Sequence, residues 1–261
     1  MVTDSRLVFF SFVALDNPSA KDHRRYNEWH QLDHRPENLA LPGVAWGDRW
    51  ARTAECRAAS VSEPEQSDTD YVAMYWFREP AGASVREWEQ LGADSFQWGR
   101  GPMIPGVRRT LLAFFRPVKG YAANSSLVSA GVIPYRPNRG IQVTVTRFAD
   151  PLGGGTHGHH QWEDRALIPA LLEVPGVAGA WTFALDHHQD NGLGLRSVEA
   201  AEHRGGLRVR ILYLDDDPIT TTARVYEKTD EVTRLLDESS VAAAELVFSS
   251  PLRTIIPWQD W

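Results

Sequence analysis

The chain repeats the pattern of one segment. Residues 26–44 read YNEWHQLDHRPENLALPGV and residues 159–177 read HHQWEDRALIPALLEVPGV. A shift of 133 places Trp29 on Trp162, Pro36 on Pro169, Leu39 on Leu172 and Pro42-Gly43-Val44 on Pro175-Gly176-Val177. Solenoid units recur about every 20–50 residues, so a period this long predicts two copies of a small domain. The ionisable groups are not copied. His30 falls on Glu163, Asp33 on Ala166, His34 on Leu167 and Tyr26 on His159. A shared frame with unshared chemistry predicts a site in one half and packing in the other.

Apolar periodicity fills in the frame. The first half reads as a strand over 7–15, a helix over 22–41 with a kink or break at Pro36, and a strand over 44–52. A polar loop over 54–69 follows, then a strand over 71–78, a helix starting at Ser84 as its N-cap and a strand over 111–118. The second half repeats the order. Strands are expected over 140–148, 178–185, 207–214 and 252–257, and helices over 160–172 and 219–238. This is βαββαβ twice, the ferredoxin-like arrangement. The expected organisation is an α+β chain with a first unit over 1–120, a linker over 121–139 and a second unit over 140–261.

The pattern Tyr26-x-x-Trp29-x-x-x-x-His34-x-Pro36, followed by Pro42-Gly43-Val44, resembles the EthD-like branch of the dimeric α+β barrel superfamily. The resemblance implies two ferredoxin-like units packed sheet to sheet as a barrel, here fused in one chain. It also implies that His34 lies at a cavity mouth and acts as acid or base.

Several residues carry chemistry in this reading. Tyr26, His30 and His34 recur at helical spacing along one side, and imidazole exchanges protons near neutrality. Glu37, three residues after His34, is its expected carboxylate partner. Trp29, Arg49, Tyr75, Trp76 and Trp162 are the expected substrate-binding wall. Arg78, closing the strand over 71–78, is a further candidate to hold a carboxylate or phenolate. In the second copy His157, His159 and Glu163 are candidates for a metal site, set beside the plainer reading of a solvated loop. Gly153-Gly154-Gly155 reads as a flexible loop, and Asp186-His187-His188 as the start of a surface loop.

Composition narrows the function. Ten Trp, ten Phe and seven Tyr in 261 residues point to an aromatic-lined cavity. A net charge of −7 without a Lys/Arg block lacks the footprint of nucleic-acid binding. Cys56 is alone, which leaves no disulfide within the chain. No segment has the apolar length of a membrane span, and the amino terminus does not read as a signal peptide. The expectation is a cytoplasmic enzyme, monomeric or homodimeric, acting on a small hydrophobic, aromatic or polyketide-like molecule without a cofactor. Its chemistry would be histidine acid/base catalysis of elimination, cleavage or rearrangement, as in a dehydratase-type lyase. The alternatives are a cofactor-free monooxygenase of phenols, a haem protein (the resemblance includes haem-binding members), and a binding protein without turnover.

Overall fold

The computed structural model describes residues 4–101, 106–189, 196–197 and 202–259. Strand β1 (Leu7–Leu15) is rich in Val and Phe, which suit a pleated surface buried on both faces, and alternation sorts them. Val8, Phe10 and Phe12 point to one side, and Phe9, Ser11 and Val13 to the other. Helix α1 (Ala20–Trp29) starts at Ser19, whose hydroxyl accepts from Asp22 N–H while the Asp22 carboxylate accepts from Ser19 N–H, a capping box. A π turn (His30–His34) and helix α2 (Arg35–Ala40) continue it into β2 (Val44–Ala51).

Helix α3 (Ala54–Ala58) and the short β3 (Val61–Ser62) fill part of the stretch expected to be a loop, and Cys56 is buried in α3. Then come β4 (Tyr71–Phe77), α4 (Ala81–Gln97) and β5 (Val107–Ala122). The second half runs β6 (Gly140–Phe148), α5 (Gly154–Trp162), a second π turn (Glu163–Leu167), α6 (Ile168–Leu171) and β7 (Val177–His188). It continues with β8 (Arg196–Ser197), β9 (Leu207–Leu214), α7 (Pro218–Thr233), α8 (Glu238–Ala242) and β10 (Ala244–Thr254).

Eight antiparallel strands close on themselves in the order β5-β1-β4-β2-β10-β6-β9-β7, with β5 pairing both β1 and β7. Within the first half the order is β5-β1-β4-β2, and within the second it is β10-β6-β9-β7. The two seams differ. β5 and β7 pair along Ala113↔His188 to Ala122↔Gly179, whereas β2 meets β10 at Arg253↔Ala51 and Thr254↔Trp50. The inward faces make one apolar core that includes Phe10, Trp50, Trp76, Phe115, Ile211 and Phe248. The outward faces lie under helices, against Trp88 in the first half and Leu167, Leu171 and Val225 in the second.

Several boundaries differ from expectation. The helix through Pro36 is neither broken nor sharply ended, because a π turn absorbs the missing N–H (Arg35 N–H bonds His30 C=O) and carries the chain on. Pro169 follows the second π turn in the same way. Helix α4 begins at Ala81 after Pro80, and Ser84 lies inside it, buried, with its hydroxyl on Arg78 C=O. Helix α5 begins at Gly154, so the glycine run opens a helix. A Cβ on Gly155 would lie 2.6 Å from Ser239 O, and one on Gly158 would collide with Ser240 Oγ, so these residues let α5 approach α8. Residues 121–122, placed in the linker, continue β5, and β10 starts at Ala244, eight residues before the strand expected there. No helix among the described residues is long and apolar enough to cross a membrane.

Candidate active site

Between the outward face of β1, β4 and β5 and the helices α1, α2 and α4 lies a cavity of about 110 Å³. A cavity of about 150 Å³ holds one benzene-sized ring, so the floor here is of that order. Phe9, Tyr75, Trp88 and Trp29 supply its aromatic surface, and Glu89, Phe96 and Gln189 its more exposed rim.

The two imidazoles share one wall. His30 is buried and His34 half-buried, their ring centroids 5.2 Å apart and nearly perpendicular. The π turn runs from one to the other and directs both towards the cavity. His34 stacks on Trp29, centroids 4.7 Å apart and 19° between planes. Trp29 is held in turn by its indole N–H on Arg100 C=O. Burial, then the cations Arg109, Arg49 and Arg100, drive His34 down to about 3. Burial, then Arg49, His34, Arg35 and Arg109, hold His30 well below the ordinary imidazole value. Both rings are neutral at physiological pH.

The tautomer of His34 follows from its neighbour. Asn38 Nδ2 lies against both His34 C=O and His34 Nδ1, the latter at 3.2 Å. A carbonyl accepts only, so the amide NH₂ must face it. The same NH₂ then donates to Nδ1, which leaves the His34 proton on Nε2. Glu37 does not serve as the partner of His34. Its carboxylate is taken by Arg100 and Ser95, from α4 and beyond.

Arg49 is 1 % exposed. Its guanidinium lies 3.9 Å from the Tyr71 ring centroid and 4.7 Å from that of Tyr26, and none of its nitrogens has a hydrogen-bond partner among the described residues. It does not itself line the cavity; Tyr26 does. Tyr75 lies across β2, where a Cβ on Gly47 would collide with its ring, so glycine at 47 is required for that placement. Its hydroxyl is buried and unpartnered among the described residues, and burial raises its pKa.

Sequence reasoning brought Tyr26, Trp29, His30, His34 and Tyr75 to one place, and the cavity contains all five. It missed Arg109, Asn38 and Trp88. Trp76 and Trp162 lie elsewhere. Trp76 points into the barrel, against Trp181 and Phe183 at 5.0 and 5.3 Å, because its strand alternates and Tyr75 takes the outer face. Trp162 packs under α7 with its indole N–H on Val232 C=O, the second-half counterpart of the Trp29 bond. Arg78 is exposed and bonds Pro42 C=O and Val44 C=O. In the second half Glu163 is buried between Arg208 and Arg210, and His157 is exposed beside Gln161. His159 packs against Phe148 and Trp162, ring centroids 5.3 and 5.2 Å away. Among the described residues no three His, Cys, Asp or Glu side chains are grouped to hold a metal. The run at 186–188 ends strand β7, where His187 stacks on Phe114 at 4.9 Å.

Solved structures share this architecture across nearly the whole chain. A chlorite dismutase-like protein is 13% identical and aligns over 97% of this chain and 95% of its own, with a TM-score of 0.51. A dye-decolorizing peroxidase from Bacteroides thetaiotaomicron is 7% identical over 96% and 93%, with a TM-score of 0.53. A monooxygenase-like protein of Fusobacterium nucleatum is 7% identical over 96% and 92%, with a TM-score of 0.50. The chain shares the fold of these structures, a closed eight-stranded antiparallel barrel with helices on its outer faces. No family model matches the sequence, and no curated protein matches it. Identities this low establish the fold and leave the chemistry to the residues. The region of the second half that corresponds to the cavity is occupied by Glu163, Arg208 and Arg210.

Proposed function

We propose that the protein is an enzyme that takes a proton from a small aromatic or polyketide-like molecule seated in the first-half cavity. The observation that carries this reading is the pair of neutral imidazoles side by side in an aromatic pocket, near the Arg109 and Arg49 guanidinium groups, whose Nη1 and whose three nitrogens respectively are unpartnered among the described residues. His30, with Nδ1 unpartnered among the described residues, is the base. His34 donates from Nε2 to the oxygen on which charge develops, with Arg109 at the wall and Arg49 behind Tyr26 stabilising that charge. Tyr26 positions the ring of the substrate. The protonated His30 then passes its proton to the leaving hydroxyl, which departs as water as the C–O bond breaks and the carbanion's electron pair forms the C=C bond, an elimination of the dehydratase type.

The test is proton exchange. In anaerobic D₂O the protein should exchange the acidic C–H of cyclic β-diketones or phenolic ketones, followed by proton NMR. His30→Gln and His34→Gln should each lower the rate by about 10²–10⁴-fold with the melting temperature nearly unchanged. Exchange that survives both substitutions would end this assignment. A second reading is supported by the same anion, since an electron-rich phenolate also reacts with O₂. Oxygen consumption during turnover distinguishes a cofactor-free monooxygenase from the lyase.

We also propose that the barrel is a tandem of two ferredoxin-like units of the EthD-like kind, 1–120 and 140–261, joined through 121–139. The matching strand orders, and π turns that begin at residues 30 and 163, support it.

A further inference from the structure

The cavity is furnished with donors, and the acid that lines it among the described residues, Glu89, lies at the exposed rim. Arg109, 8 % exposed, lines it with Nη1 unpartnered among the described residues. Tyr75 and Trp88 line it too, and the Tyr75 hydroxyl and the Trp88 indole N–H are each buried and likewise without a hydrogen-bond partner among the described residues. Arg49 adds a second buried, unbonded cation beneath Tyr26. Unmet buried donors carry a substantial desolvation cost, so such a set calls for an acceptor that the described residues do not supply. Nearby carboxylates are already committed. Asp48 faces Arg35 at 3.5 Å, Asp70 faces Arg57 at 2.8 Å, and Glu37 holds Arg100. Glu89 lies at the exposed rim, within 3.4 Å of Gln189 Nε2.

The other half of the molecule shows what is missing. Glu163 opens the second π turn as His30 opens the first. Its carboxylate lies between Arg208 and Arg210, and Arg210 also reaches Thr144 at 3.3 Å. There the chain supplies its own carboxylate to a pair of buried guanidinium groups. In the first half the corresponding residue is an uncharged imidazole, and a cavity lies beside it.

We infer that the first-half cavity binds an aromatic carboxylate, its ring against the aromatic wall of Trp29, Phe9 and Trp88 and its anionic oxygens on Arg109. This names the substrate class of the site proposed above and rests on that site being the functional one, but it concerns binding and not turnover. Charge selects the ligand. A neutral isostere keeps the ring contacts and loses the ionic hydrogen bonds, and a cationic one meets Arg109 and Arg49 with like charge.

The test is a titration of the protein, followed by calorimetry and tryptophan fluorescence, with benzoate, benzamide and benzamidine at pH 7. Benzoate should bind at least about tenfold more tightly than benzamide, as expected for hydrogen bonds to charged groups, and benzamidine should bind weakest. Arg109→Gln should bring benzoate down to the level of benzamide, and Arg109→Lys should retain part of the preference. Because the discrimination is read first on the unaltered protein, a folding defect in either variant leaves it intact. Equal binding of benzoate and benzamide, or no binding of either at millimolar concentration, would overturn the inference. His30→Gln should keep the preference for benzoate. If it does while proton exchange also persists, the proposed chemistry fails and the anion site stands.

Discussion

A neutral buried imidazole leaves a signature in acid. His34 has its folded-state value near 3, against an ordinary 6.5. Between those values the folded protein binds fewer protons than the unfolded chain, so lowering the pH favours unfolding. The destabilisation is absent above 6.5, grows as pH falls below it, and levels off near 3. It amounts to at most about 1.4 kcal/mol per pH unit. Urea unfolding as a function of pH should therefore show an acid limb that His34→Gln makes shallower; an unchanged limb would mean that the ring is charged in the folded state. The rate of proton exchange should likewise persist below pH 6.5, where an ordinary histidine base would already be lost. Asn38 belongs to the same argument. Asn38→Asp offers Nδ1 an acceptor in place of a donor, which favours the neutral tautomer with its proton on Nδ1 and takes the proton off Nε2. Exchange should fall at least about tenfold, in line with acid/base contributions of 10²–10⁴, and the imidazole nitrogen shifts in NMR should report the changed tautomer. The histidines were legible in the sequence from their spacing. Asn38 and the fate of Glu37 were not, because Arg100 claims Glu37 from 63 residues away and no local pattern records that.

At the scale of elements, the feature that shapes the site is the π turn over 30–34. The sequence marks its place, since Pro36 and Pro169 sit where a regular helix would need an N–H, but periodicity alone expected a kink. A π turn holds one residue more than the α turn it replaces. Removing Leu32, whose side chain is exposed, should restore an α-helical turn, leave the melting temperature within a few degrees, and turn His34 relative to His30. Proton exchange should then be lost, while far-ultraviolet circular dichroism stays as before; retained exchange would show that the turn has no part in placing the rings. The Pro-Gly-Val motif has a simpler basis. Gly176 has φ +93°, and a Cβ there would lie 2.9 Å from Asp216 Cβ and Thr221 Oγ1. Gly176→Ala should cost about 1–3 kcal/mol in urea unfolding. At Gly43 the constraint is space alone, since a Cβ there would come within 2.6 Å of Ser84 Cβ. Strand faces were the least legible part. Tyr75 and Trp76 are equally aromatic neighbours, and the side on which each falls is decided by the closure of the barrel.

Across the whole molecule the closed barrel supplies one shared interior, and the two outer faces differ. One face holds a cavity with donors unmet among the described residues; the other is filled by a buried acid between two arginines. Those states predict opposite responses to substitution. Removing one partner of a buried ion pair leaves the others uncompensated and typically costs about 3–5 kcal/mol. Glu163→Gln should therefore lower the urea midpoint strongly, while the folded fraction keeps its proton exchange and its preference for benzoate. Near the cavity the order reverses: His30→Gln removes an imidazole that burial already keeps neutral, so it should change stability little and abolish exchange. The two variants occupy the first position of the two π turns, 133 residues apart, so one pair of measurements separates the half that holds the fold from the half that holds the chemistry. If Glu163→Gln instead abolished exchange at unchanged stability, the division of labour between the two faces would be the reverse of the one argued from their side chains.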